Sequence, residues 1–68
     1  METVARITEI SARSDTSFED AIRIGIERAT KSLRNVKGAW VKEQEVILRD
    51  GQIAAFEVIM KVTFELEE

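Results

Sequence analysis

The sequence predicts an α+β domain ordered strand–helix–strand–strand, with a three-stranded antiparallel sheet packed on one helix. Three observations predict it. Residues 52–66 alternate apolar and polar with period two. A capped amphipathic stretch follows Ser17. Asp50-Gly51 separates two extended runs, and a tight hairpin wants residues that tolerate positive φ.

Residues 3–12 read as the first strand. Val4, Arg6, Thr8 and Ile10 alternate with Ala5, Ile7 and Glu9, giving two mixed faces, and β-branched residues favour a strand over a helix. Residues 11–17 are polar and read as a loop. Ser17-Phe18-Glu19-Asp20 opens the helix: the Ser17 hydroxyl suits the N-cap, Asp20 stands at the reciprocal position of a capping box, and both acids suit the positive end of the helix dipole. Phe18, Ala21, Ile22, Gly25, Ala29 and Leu33 form one apolar face, widened by Ile24 and Ile26. Glu27 and Lys31 stand as an acid–base pair at i,i+4. Mid-helix Gly25 predicts close approach of a strand backbone. The helix ends over residues 35–38. Residues 39–48 read as the second strand. In the third, Phe56, Val58, Met60, Val62, Phe64 and Leu66 share one face, and Glu57, Ile59, Lys61, Thr63 and Glu65 the other.

Sixty-eight residues make one domain, 1–68, and a domain of this size is marginal without help. The chain has no cysteine for a disulfide and no histidine for the usual metal sites, which leaves self-association as the stabilising device. The net charge of −3 argues against nucleic acid. No apolar run approaches the roughly 20 residues that span a bilayer, and residues 1–11 lack the apolar stretch of a signal peptide. A soluble cytoplasmic protein with no membrane partner is expected.

Element lengths carry the functional reading. A helix of about 17 residues spans roughly 25 Å, whereas a third strand of about 15 residues reaches roughly 50 Å. One helix does not cover that strand, so Phe56, Val58, Met60, Val62 and Phe64 are expected to form an oligomer interface, closed by symmetry between identical copies. Catalysis is not expected. The serines have no histidine to activate them, and the three glycines are too far apart for a phosphate loop. Glu43 and Glu45 share a strand face and read as a solvated pair. Asp15, Glu19 and Asp20 crowd one junction, where helix capping explains them more simply than calcium. Trp40, the only tryptophan, offers a flat face for stacking or an interface anchor. Gln44, four residues on, is expected on the same strand face, placed to hydrogen-bond the edge of a stacked ligand.

The order and spacing of several stretches resemble the dodecin family over nearly the whole chain. They are Ser14-Asp15-Thr16-Ser17-Phe18-Glu19-Asp20-Ala21, Arg28-Ala29, Leu33-Arg34-Asn35-Val36, residues 41–44, and Lys61-Val62-Thr63-Phe64-Glu65-Leu66. The resemblance implies a β-α-β-β domain assembling as a hollow homododecamer that binds flavin, riboflavin or FMN, without catalysing a reaction. In flavin-binding members a tryptophan shortly after the helix sandwiches the flavin ring; the matching position here is Gly38, and Trp40 stands two residues on, about 7 Å along the same face. A glutamine on the last strand holds the flavin edge in those members, and its counterpart here is Glu57, which when ionised only accepts hydrogen bonds. Gly38, Trp40, Gln44 and Glu57 are therefore the candidate ligand residues. Some members are associated with calcium, which implies the alternative of a calcium-binding or ligand-free dodecamer, with Asp15, Glu19 and Glu57 as candidate metal residues.

Overall fold

A computed structural model describes residues 2–66. The elements are β1 (Ala5–Ser14), α1 (Phe18–Ser32), β2 (Val36–Arg49) and β3 (Gln52–Glu65). They form one sheet ordered β1-β3-β2 with both pairings antiparallel. The most regularly alternating strand therefore takes the centre, where both edges are hydrogen-bonded. Asp50 and Gly51 have φ of 54° and 77°, the left-handed pair that a tight β-hairpin requires. No helix among the described residues is long and apolar enough to cross a membrane.

Local chemistry sets the element ends. Ser17 caps α1, its Oγ accepting from the Asp20 N–H at 3.0 Å. The reciprocal half of the capping box is replaced by another arrangement. The Asp20 carboxylate accepts from the Ser14 hydroxyl at 2.6 Å and from Arg23 at 2.7 Å. Ser14 Oγ in turn accepts from the Thr16 N–H at 2.9 Å, so the buried serine ties the end of β1 to the start of α1. This use of Ser14 explains why β1 runs two residues beyond its expected end. Glu27 pairs with Arg23 at 2.9 Å, one turn earlier on the helix than the expected Lys31. The helix stops at Ser32, and Asn35 turns the chain with φ of 61°. Pairing of Val36 with Phe64 starts β2 three residues before its expected beginning.

The Ser14 and Arg23 hydrogen bonds hold the Asp20 carboxyl below the usual carboxylate value. A carboxyl with a lowered folded-state pKa stabilises the fold at pH above its unfolded value, and that contribution disappears as pH falls through the folded one. Asp20→Asn is therefore expected to lower the melting temperature at pH 6 and to leave a smaller drop between pH 6 and pH 3 than the parent shows. An unchanged difference between the two pH values, followed by circular dichroism, would count against the linkage.

The core lies between α1 and one face of the sheet. Val58, Met60 and Val62 are 0% exposed, and Ala21 joins them, with Ile10, Ala12, Phe18, Ile22 and Ile26 packed around. Burying each large apolar side chain contributes about 1.5–3 kcal/mol. The helix approaches through its small residues Ala21, Gly25 and Ala29, all buried. A Cβ on Gly25 would stand 2.5 Å from Met60 Cε and 3.1 Å from Ala12 Cβ. The glycine thus admits neighbouring side chains, rather than the strand backbone expected from the sequence.

This packing corrects the expected oligomer interface. Val58, Met60 and Val62 are already sealed by their own helix, and Phe56 packs edge-on against Phe18, with ring centroids 5.2 Å apart. Phe64 is half-buried at the far end. The surplus apolar surface lies elsewhere. The molecule is 51 Å long, whereas a 15-residue helix spans about 22 Å. The β2–β3 hairpin projects past the helix, and β2 is exposed almost throughout. Leu48 and Ile53, paired beside the turn, are 59% and 58% exposed, and Val41 and Val46 are exposed along the edge strand β2, opposite Met60 and Phe56.

Candidate functional site

The sheet face turned away from the helix carries the candidate site. Opposed residues in an antiparallel sheet share a face, so the register places them in cross-strand rows. Ile7, Thr63 and Gly38 form one row; Glu9, Lys61 and Trp40 the next; Ser11, Ile59 and Glu43 a third; Arg13, Glu57 and Glu45 a fourth. Trp40 is 58% exposed on this face. Gly38, two residues earlier, has open space where a Cβ would point. Lys37, Gly38, Ala39, Trp40 and Thr63 line a shallow depression of about 330 Å³.

Of the four ligand residues expected from the sequence, the structure keeps three on one face and removes one. The β2–β3 register slips between Val41 and Glu43, so Lys42 is an extra residue in the ladder. Such a β-bulge breaks strict alternation. Beyond it Gln44 pairs with Val58, a buried residue of the helix-side face, and so stands on the opposite side of the sheet from Trp40. Counting four residues along an unbroken strand gave the wrong face. Gln44 is therefore not placed to serve a ligand stacked on Trp40.

Glu57 shares the Trp40 face but lies four residues from Lys61, the partner of Trp40, or about 13 Å along the strand. Within one chain the two do not touch one small ring together. Glu57 is also engaged already. Its Oε1 accepts from Arg13 Nε at 3.0 Å and from Arg13 Nη2 at 2.7 Å. Glu45, directly across from Glu57, adds a like charge, and Glu43, Gln44, Glu45, Glu57 and Ile59 line a second depression of about 460 Å³, which Gln44, between the two outward-facing glutamates, borders away from Trp40. A flavin edge that presents carbonyls finds no donor in Glu57, whereas the exposed Trp40 ring does suit stacking. The residues present thus fit the ring of a flavin better than its edge.

Asp15, Glu19 and Glu57 are not brought together. Asp15 and Glu19 flank the start of α1, whereas Glu57 sits on the open sheet face beside Arg13. Among the described residues no three acidic side chains converge to hold a metal ion.

The structure adds residues that the sequence reading did not weigh. Lys42, pushed out by the bulge, reaches across the central strand to the Glu9 carboxylate at 3.4 and 3.5 Å. Lys61 is opposed in the register to Glu9 on one side and Trp40 on the other. Strand alternation alone puts Lys61 on the polar face of β3, but its proximity to Trp40 depends on the register across two bulges.

Comparison with known proteins agrees with this architecture. The family profile described as Dodecin matches residues 4–67. The dodecin of Thermus thermophilus is 31% identical over 68 residues, covering all of this chain and 99% of that protein. Among solved structures, dodecin from Streptomyces davaonensis superposes with a TM-score of 0.93 at 41% identity, with both chains fully covered. Dodecin from Streptomyces coelicolor gives 0.91 at 32% identity, covering 97% of this chain and 94% of that one.

Proposed function

Because this chain belongs to the dodecin family, we propose that it is a non-enzymatic small-ligand-binding protein that works as a hollow homododecamer, with flavin as its first candidate ligand. The observation that carries the ligand reading is the exposed ring of Trp40 on the uncovered sheet face, next to the open floor at Gly38. A tryptophan face left in water is an unfavourable use of a large apolar side chain, and stacking of a planar heterocycle restores its burial. Binding without chemistry agrees with a chain that has neither cysteine nor histidine to build a nucleophile–base pair.

Assembly is supported by the projecting hairpin. Leu48 and Ile53 lie beyond the reach of the chain's own helix, Val41 and Val46 stand exposed on the outer strand β2, and contacts between copies would give them cover. Closure among identical copies then follows from symmetry.

One observation favours a second reading, a dodecamer of the same family that holds no flavin. Glu57, which the family resemblance assigns to the ligand edge, is already paired with Arg13. Adding excess protein to riboflavin and following flavin emission separates the two readings. Quenching of most of the emission at protein excess is expected for the flavin-binding form. Emission that stays constant through the titration, with the assembly intact by light scattering, selects the flavin-free form.

A further inference from the structure

Asp15, Asp20, Asn35 and Asp50 are the aspartates and asparagine of the chain. The side-chain carbonyl carbon of such a residue can close a five-membered imide with the backbone nitrogen that follows it. Closure needs a side chain that is not held elsewhere, a following N–H without a partner, and no bulky side chain crowding that nitrogen. Asp15 fails, because β-branched Thr16 follows it and the Thr16 N–H donates to Ser14 Oγ at 2.9 Å. Asp20 fails on two counts. Its carboxylate is held by Ser14 and Arg23, and the N–H of Ala21 donates to the Ser17 carbonyl at 3.0 Å. Asn35 is followed by β-branched Val36. Asp50 meets every requirement. Its carboxylate makes no hydrogen bond or ion pair among the described residues. Gly51 lies inside the turn that Arg49 and Gln52 close, and its N–H has no partner among the described residues. A Cβ on Gly51 would meet nothing within 4 Å, and both turn residues are exposed.

We propose that Asp50-Gly51 is a self-modifying site, where the turn converts through a succinimide to isoaspartate and thereby loosens the tip of the hairpin. The Gly51 nitrogen attacks Asp50 Cγ. The N–Cγ bond forms, the Cγ–OH bond of the carboxylic acid breaks, and the hydroxyl leaves with the amide proton as water. Solvent water then opens the ring. Opening at Cγ restores aspartate. Opening at the main-chain carbonyl carbon of Asp50 leaves the chain running through Cβ and Cγ, with the former main-chain carbonyl now a free carboxylate. No atom is gained or lost overall, and the backbone lengthens by one carbon. A two-residue turn sets the register of its strands, and this one needs φ of 54° and 77° at its two residues. The lengthened link does not keep that geometry, so the pairs Arg49–Gln52 and Leu48–Ile53 loosen first. The product also defines a class of partner: a methyltransferase that esterifies the isoaspartyl carboxylate.

Prolonged warm incubation of the assembled protein at neutral pH provides the test. Isoaspartate is read by enzymatic carboxyl methylation and located by electron-transfer fragmentation of peptides. More isoaspartate is expected at Asp50 than at Asp15 and Asp20 together. Asp50→Gly keeps a turn that accepts positive φ at both positions and removes the carboxyl. It is expected to bring methylation down to the level of the other two aspartates. Asp50→Asn keeps a favoured hairpin turn, releases ammonia in place of water, and is expected to convert faster, with a gain in mass. The aged parent is expected to melt below the fresh protein, whereas aged Asp50→Gly melts with its fresh counterpart. Absence of isoaspartate from Asp50 of the assembled protein overturns the proposal, and its formation there in the urea-unfolded chain would then show that the folded turn protects the bond. Isoaspartate lying mainly at Asp15 or Asp20 overturns it as well. An unchanged melting temperature in the converted fraction removes the loosening of the tip.

Discussion

Val62→Glu is expected to unfold the domain rather than merely to dissociate an assembly. Val62 is completely buried between β3 and α1, opposed by Thr8 and Ala39. A carboxylate there would lose its hydration with no cation beside it, or would fold only when protonated. The cost is expected to exceed about 4 kcal/mol, against a total of roughly 3–10 kcal/mol for a chain of this length. Far-UV circular dichroism at neutral pH should show loss of the cooperative thermal transition. A variant that melts within a few degrees of the parent would mean that the helix does not seal this face. Val62→Ala serves as the graded control, with a smaller loss from the methyl groups removed and the cavity left behind.

The paired change Leu48→Glu with Ile53→Glu is expected to do the opposite: to abolish assembly while leaving the single-chain fold in place. Both residues sit beside the Asp50-Gly51 turn, paired with each other and more than half exposed in the lone chain. Glutamate is therefore solvated at either position in a monomer. Between copies each would bring a carboxylate into an apolar contact, at a cost above about 2 kcal/mol per site. Light scattering should report the fall in mass, with the helix and strand signals of circular dichroism retained. The melting temperature of the variant should also lose its dependence on protein concentration, because dissociation no longer accompanies unfolding. A mass equal to that of the parent would show that the hairpin is not where the copies meet.

The contrast between these two substitutions marks where sequence periodicity stops being informative. The alternation of Val58, Met60 and Val62 with Ile59 and Lys61 states that one face of β3 is buried. It does not state by what. Length arithmetic states that the helix is shorter than the strand but not which part it covers, and on that basis the whole apolar face was assigned to contacts between copies. In the folded chain the small residues Ala21, Gly25 and Ala29 let α1 settle deeply over the centre of β3, and the excess is displaced to the hairpin.

Local rules held wherever the interaction was local. Ser17 as a cap, acids in the first turn of α1 and Asp50-Gly51 as a hairpin turn each depend on atoms within about four residues. The candidate site depends on atoms far apart in sequence. Arg13 and Glu57 are 44 residues apart, and Lys42 and Glu9 are 33 apart. One extra residue at Lys42 turns Gln44 to the other side of the sheet. Nothing in the composition of Val41-Lys42-Glu43 announces that insertion, because a bulge is a property of two strands paired together.

Residue type and spacing along the chain were thus enough for the order of elements, the buried face of β3, the hairpin turn and the family resemblance, because backbone preference and apolar periodicity act over short distances. Which side chains share a face with Trp40, which cations are already neutralised and which apolar residues remain uncovered emerged only from the folded chain. Those properties follow from strand register and helix seating, and both are set by packing between segments distant in sequence.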